Sequence, residues 1–283
     1  MRVVCAGHVN WDVTMRVDSL PAPDAESVVE SRRESGGGSA ANVAVALSDL
    51  GVTASLVGSV GTDERGERVR RELAAAGVEL DPVQAVEGRT AVKYLLVDGA
   101  GEVAVVDDGG VNEAFRVEAV PEALVEDAAA CHLTGQRPDT AARLAERASE
   151  AGLIVSFDPG RRLGGRDYAG TLERCDLLFL NGRESDRLPE VPGDPLVVRK
   201  RGADGATLEG SSLSLEHAGF ELGGVDTSGA GDAFAAGFLA ARLRGASVER
   251  ALATANACGA LAAATPGPRP ALDPERVREL VDG

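Results

Sequence analysis

Short apolar runs alternate with amphipathic segments along most of this chain, and that alternation leaves few architectures open. Residues 3–6, 54–60, 153–157, 177–180 and 196–198 are continuous and rich in β-branched residues or leucine. Strands covered on both faces read this way. Between them lie amphipathic segments at 65–76, 140–151 and 248–263. The pattern predicts an α/β chain with a mostly parallel sheet wound with helices. Residues 13–35 and 90–107 break it. They alternate like strands, as in Ala91-Val92-Lys93-Tyr94-Leu95-Leu96-Val97, hold no long helix, and predict a small separate sheet.

Length and composition bound what the chain does. Its 283 residues fit one large domain, 1–283, with a small appendage, and a hydrophobic content of 44% suffices for a sizeable core. No apolar run approaches the ~18 residues of a membrane span. The start, Arg2-Val3-Val4-Cys5-Ala6, reads as a buried strand rather than a leader peptide. Cys5, Cys131, Cys175 and Cys258 are scattered without metal-type spacing, which suits small core residues in a reducing cytoplasm. A net charge of −16 argues against nucleic-acid or anionic-membrane partners. Lys93 and Lys200 are the only lysines; every other fixed base is arginine. An acidic surface poor in lysine suggests a high-salt cytoplasm, although a GC-rich genome also favours arginine.

The chemistry concentrates near the C-terminal end, in Asp226-Thr227-Ser228-Gly229-Ala230-Gly231-Asp232 followed by an apolar helical run. Gly229 and Gly231 let the backbone turn so that several N–H groups point one way. A helix beginning there adds unpaired N–H groups and the positive end of its dipole, which together make an anion cradle. Asp232 sits inside it. One reading is a helix cap. The other is a general base that takes the proton of a hydroxyl attacking a phosphoryl group in the cradle.

Further polar groups follow predicted strands, where open α/β sheets bind ligands. Asn10 and Asp12, in a loop after the first strand, suit sugar hydroxyls; His8 shows no partner and is expected to pack. Gly36-Gly37-Gly38-Ser39-Ala40-Ala41-Asn42 contains Gly-x-Gly-x-x-Ala, but the polar residues before it are not the buried strand that a dinucleotide fingerprint requires. Asn181 and Glu184, just after a predicted strand, offer hard oxygen atoms that suit Mg²⁺, an ion that usually keeps several waters. Lys200 and Arg201 either pair with phosphates or are solvated charges. The sequence contains no Gly-x-x-x-x-Gly-Lys-Ser/Thr loop.

Taken in order, these elements resemble the PfkB, or ribokinase-like, family of carbohydrate and nucleoside kinases over nearly the whole chain. The resemblance rests on Asp226-Thr227-x-Gly229-Ala230-Gly231-Asp232, on Gly37, Gly38 and Asn42, and on the Asn181-x-x-Glu184 element. It implies a three-layer α/β/α core with a β-strand lid, built from about 13–35 and 90–107, that often also forms a dimer contact. It implies transfer of the γ-phosphoryl of ATP to a hydroxyl, with Asp232 as base and Gly229, Ala230 and Gly231 as the cradle. Asp12, Asn10, Gly37, Gly38, Asn42 and Arg162 are then expected at the acceptor. Asn181, Lys200, Gly202, Gly205, Thr227 and Asn256 are expected at the nucleotide. Glu184, with Asn181, is expected to organise Mg²⁺ through water. Lys200 stands where the family usually has a small hydroxyl residue. Phe157-Asp158-Pro159-Gly160 resembles archaeal nucleoside kinases, so a ribonucleoside or ribose is the first expectation. Fructose, 2-keto-3-deoxygluconate and a sugar phosphate are the alternatives; for the last, Arg89, Arg161 and Arg162 could supply charge. An inactive binding regulator is the rival from another class.

Overall fold

The computed structural model describes residues 1–188 and 191–283. In chain order the strands begin with β1 (Arg2–Ala6), β2 (Asn10–Val17), β3 (Val29–Gly37), β4 (Thr53–Gly61), β5 (Val83–Val86), β6 (Val92–Val97) and β7 (Val103–Asp108). They continue with β8 (Ala130–Thr134), β9 (Ile154–Asp158), β10 (Leu177–Asn181), β11 (Leu196–Lys200), β12 (Ala206–Gly210) and β13 (Leu213–His217). The helices are α1 (Ser39–Asp49), α2 (Glu64–Ala75), α3 (Glu122–Glu126), α4 (Pro138–Glu150), α5 (Ala169–Leu172), α6 (Gly182–Ser185), α7 (Ala230–Leu243), α8 (Val248–Ala263) and α9 (Pro274–Asp282).

A nine-stranded sheet runs β13-β12-β11-β10-β9-β8-β1-β4-β5. From β11 to β5 every neighbouring pair is parallel; β12 and β13 complete the edge as an antiparallel hairpin. Continuous apolar strands need cover on both faces, and alternate residues find it. Val3, Cys5, Leu177 and Phe179 enter the core under α1, α7 and α8. Val4, Ala6, Leu178 and Leu180 enter a second core under α4. Three α/β/α layers result. The apolar-run reading does not mark β8, because His132 interrupts it; that imidazole is buried and its Nδ1 lies 2.9 Å from Ser156 Oγ.

Chain order in the sheet reverses at β1, with β4 on one side and β8 on the other. That switch point opens a crevice beyond the carboxyl ends of the strands. His8, Gly135, Asp158, Asn181 and Lys200 all lie there, at or just past the ends of β1, β8, β9, β10 and β11.

The four-stranded second sheet has the order β3-β2-β6-β7 and overhangs this crevice as a lid. Its outer pairs are antiparallel and its central β2–β6 pair is parallel. The lid begins earlier than 13: Asn10 and Asp12 belong to β2 rather than to a loop. Trp11 anchors it, with Nε1 donating to Glu34 Oε2 at 2.7 Å and the Arg68 guanidinium 4.4 Å from its ring centre.

On the other side, α7 is pinned to the sheet by aromatic residues. Phe179 of β10 meets Phe234 and Phe238 edge to face, with centroids 6.2 and 5.7 Å apart. Gly237 lets α8 come close: a Cβ there would lie 2.7 Å from Cys258 Sγ. With α1 packed beside α7, the first turns of both helices face the crevice together.

Candidate active site

The helix α7 starts without a side-chain cap. Its N-cap is Gly229, with φ 74°, and a Cβ at that position would sit 2.1 Å from the Pro268 carbonyl oxygen. Only glycine tolerates both constraints. Among the described residues no backbone or side-chain acceptor takes the amides of Gly231 and Asp232. These are the free donors that an anion would satisfy; Ala230, expected among them, instead donates its N–H to the Thr227 carbonyl at 3.3 Å. Asp226 braces the loop from behind, accepting from Ser228 N at 2.9 Å, Gly267 N at 2.9 Å and Arg33 Nη2 at 3.3 Å. Arg33 comes from the lid strand β3, so lid and cradle are joined.

Asp232 follows directly. Its Oδ2 accepts from Asn42 Nδ2 at 2.8 Å, and its Oδ1 has no partner among the described residues. Burial pushes its pKa up to about 7; the Asn42 bond opposes this, and the charge of Asp158 adds to it. Asn42 is itself oriented by Arg269, whose Nε donates to Asn42 Oδ1 at 2.8 Å and whose Nη2 donates to the Gly37 carbonyl at 2.7 Å. Burial lowers the Arg269 pKa to about 10, which leaves the guanidinium charged at neutral pH. Arg269 was not marked by any sequence pattern. An arginine between Pro268 and Pro270 sits in no periodic element, and only its flanking prolines hint at a fixed position.

Lys200 lies between three carboxylates. Its Nζ is 2.5 Å from Asp158 Oδ2. Burial works against its charge, but Asp158, then Glu184 and Asp232, more than offset this and hold the ammonium above its usual range. It is therefore not a solvated surface charge. Arg201 is: its ion pair with Glu216 lies at the exposed edge.

Asn181 caps α6 in a reciprocal box. Its Oδ1 accepts from Glu184 N at 3.0 Å, while Glu184 Oε2 accepts from Asn181 N at 2.8 Å and Oε1 from Asn181 Nδ2 at 2.7 Å. Burial, reinforced by Asp158, raises the Glu184 pKa. Among the described residues no group of three or more His, Cys, Asp or Glu is placed to cage a metal directly. The donor set instead suits an ion that keeps its waters, as Mg²⁺ does.

Two cavities meet at Asn181, Lys200 and Thr227. The larger, about 760 Å³, is lined by Gly202, Gly205, Ala230, Gly231, Phe234 and Asn256 together with the loop 219–224. The smaller, about 310 Å³, holds Asn10, Asp12, Gly38, Asn42, Arg162, Glu184, Gly229 and Asp232. Gly37 stands behind it, where a Cβ would lie 2.1 Å from Asp12 Oδ2. Asp12 is buried, which raises its pKa against the pull of Lys93 and Arg269. Asn10 donates to Asp12 Oδ1, and its own buried Oδ1 is left without a partner among the described residues. Asn256 lines the larger cavity, although its amide also donates to the Leu252 carbonyl at 2.9 Å.

One expectation needs correction. His8 does have a polar partner: its Nε2 lies 2.9 Å from Glu113 Oε1. Glu113 is also held by both terminal nitrogens of Arg166, at 2.7 and 3.1 Å. Burial of Glu113 is outweighed by the His8 and Arg166 bonds, and its pKa falls to about 2.

A phosphate-sized cradle, a carboxylate with one free oxygen and two abutting cavities are the parts of a phosphotransferase. Residues 1–275 match the profile of the pfkB family carbohydrate kinases. The chain belongs to that family. Among pfkB kinases, the ATP-dependent ribose-1-phosphate kinase of Halopiger xanaduensis is 55% identical over 280 residues, covering 96% of this chain and 95% of that one. The nucleoside kinase of Methanothermobacter thermautotrophicus is 31% identical over 264 residues, covering 87% and 84%. The fold is that of ribokinase: the Thermotoga maritima enzyme superposes with a TM-score of 0.86 at 22% identity, covering 100% and 99%. The Methanocaldococcus jannaschii nucleoside kinase gives 0.85 at 22% identity, covering 99% and 98%.

Proposed function

We propose that this pfkB kinase uses ATP to phosphorylate the primary hydroxyl of a pentose 1-phosphate, ribose 1-phosphate being the acceptor. The observation that carries the kinase chemistry is the position of Asp232, in the smaller polar cavity and one residue beyond Gly231, which lines the nucleotide-sized cavity. The acceptor is carried by the 55% identity to the Halopiger xanaduensis enzyme over nearly all of both chains.

The chemistry follows from the side chains. The sugar lies against Asp12, Asn10, Gly38 and Asn42, whose acceptors and donors match its ring hydroxyls. The hydroxyl oxygen attacks the γ-phosphorus of ATP as the bond to the bridging oxygen breaks, and ADP leaves. The hydroxyl proton passes to Asp232 Oδ1, because Oδ2 is occupied by Asn42. Amides of Gly231 and Asp232, together with Lys200, face the charge on the transferring group. Asn181 and Glu184 would hold the waters of a Mg²⁺ ion on ATP, which would supply neutralisation of phosphate charge. The lid excludes bulk water and so protects ATP from hydrolysis.

A coupled assay for ADP formation tests this, with ribose 1-phosphate, ribose, ribonucleosides, fructose and 2-keto-3-deoxygluconate as acceptors. The reading requires the highest kcat/KM with ribose 1-phosphate. Preference for a nucleoside would overturn the acceptor and leave Asp232 as base. ADP formation with no acceptor, or with none of the panel, would overturn both.

Two further parts belong to the same reading. Val28, Val29 and Val106 are exposed on the lid, at 65%, 48% and 59% of their surface. They support a homodimer through the lid, which the mass in solution tests. All four cysteines are free and buried, and among the described residues no helix is long and apolar enough to cross a membrane. Both facts support a cytoplasmic enzyme.

A further inference from the structure

Both lysines of the chain line the smaller cavity, Lys200 toward the nucleotide and Lys93 from the lid. In a protein of net charge −16 with 29 fixed bases, that placement is not what scattered surface charge produces. Lys200 is paired with Asp158. Lys93 has no ion-pair or hydrogen-bond partner among the described residues, and neither has Arg161, which lines the same cavity. The register of the lid shows why Lys93 faces inward. Asp12 of β2 pairs with Lys93 of β6, and Lys93 pairs with Asp107 of β7. Residues directly opposite across strands share a face, so Lys93 lies on the same face as Asp12, which holds the acceptor. Arg162, next to Arg161, spans from the body to the lid by a 2.9 Å bond to Asp107, with Glu113 at 3.7 Å.

We propose that Lys93 and Arg161 form an anion subsite for the phosphate already present on the acceptor, with Arg162 at its rim. This rests on the acceptor being a sugar phosphate. Two cations that line one cavity without an ion-pair partner of their own match the charge of a phosphate dianion. The carboxylates nearby do not block the site: Asp107 is engaged by Arg162, and Glu113 by Arg166 and His8. Asp12 stays with the hydroxyls.

The subsite also joins two bodies. Lys93 is on the lid, whereas Arg161 follows β9 in the main sheet. A phosphate between them bridges lid and body, so binding of a part of the acceptor that does not react helps to close the site over the part that does. An acceptor without that phosphate should therefore lose turnover as well as affinity.

The test is steady-state kinetics of Lys93→Gln and Arg161→Gln with ribose 1-phosphate and with ribose. Each substitution should raise KM for ribose 1-phosphate by on the order of 10- to 100-fold. KM for ATP should stay within about twofold, and kcat/KM with ribose should fall far less than with ribose 1-phosphate. Lys93→Arg should recover most of the loss. Arg161 is exposed and unpaired, so Arg161→Gln keeps the test open if the lid variant fails to fold. Should the parent use ribose 1-phosphate while both glutamine variants match it within about twofold, the subsite is elsewhere and the acceptor assignment stands. Should the parent ignore ribose 1-phosphate, assignment and subsite fall together.

Discussion

Asn42, on the first turn of α1, donates to Asp232, on the first turn of α7, at 2.8 Å. The bond joins residues 190 positions apart and fixes which carboxylate oxygen is free to act. It also lowers the pKa that burial raises. Removing it with Asn42→Ala should therefore move the acid limb of the pH profile of kcat/KM to higher pH. Turnover at pH 7 should fall on the order of tenfold or more, since the base is then both more protonated and less well placed. An unmoved acid limb would show that Asn42 serves the acceptor alone.

For the parent enzyme the sign is clear. Asp232 must be ionised to accept a proton, and its pKa is about 7. Below that value kcat/KM should fall about tenfold per pH unit, and above it should level off. A rate profile flat from pH 5 to 8 would remove Asp232 as the base.

Asp232→Asn should lower kcat by roughly 10²–10⁴-fold, with ATP binding largely kept. Its effect on stability should have the opposite sign. A carboxylate whose folded pKa is raised weakens the fold above its unfolded pKa of ~3.9, increasingly until the pH passes the folded value. The amide variant should melt a few degrees higher than the parent at pH 8, and the gain should vanish near pH 4. Near-normal turnover would leave Asp232 as a helix-end residue only.

Arg269→Met should leave the Gly37 carbonyl and Asn42 Oδ1 without donors, at about 1–3 kcal/mol each. Melting should fall by several degrees, and kcat should fall more than KM for ATP rises. A stability loss without any change in kcat would confine Arg269 to packing.

Forty-five carboxylates against 29 fixed bases repel one another, and salt screens that repulsion. Thermal stability should be higher in molar KCl than at ~0.1 M, where the Debye length is about 10 Å. A melting temperature flat or falling across that range would count against a high-salt origin and leave the kinase chemistry untouched.

What the sequence showed and what it hid divide along physical lines. Strands β1, β4, β9 and β10 are legible because burial on both faces forces an apolar run. The cradle is legible because a backbone that must turn and approach an anion needs glycine at 229, and glycine is visible in a string of letters. Lys93 is conspicuous as one of two lysines, yet its inward direction depends on strand register against Asp12, which no local pattern encodes. Arg269, Glu113 and Arg166 act across long separations in the chain, and they are ordinary charged residues until the fold brings their partners near. His8 misled because its partner Glu113 lies 105 residues away.

Asp12 is a residue of a lid strand, and that has a thermodynamic consequence. With the role proposed for Asp12, the acceptor is gripped fully only in the closed enzyme, and its dissociation constant then contains the free energy of closure as well as that of contact. A substitution at Gly37, where Asp12 leaves no room for a side chain, would then change apparent acceptor affinity by shifting the open–closed ratio. Under that proposal, affinities compared between variants are sums of two equilibria, and a weaker binder need not have lost a single contact.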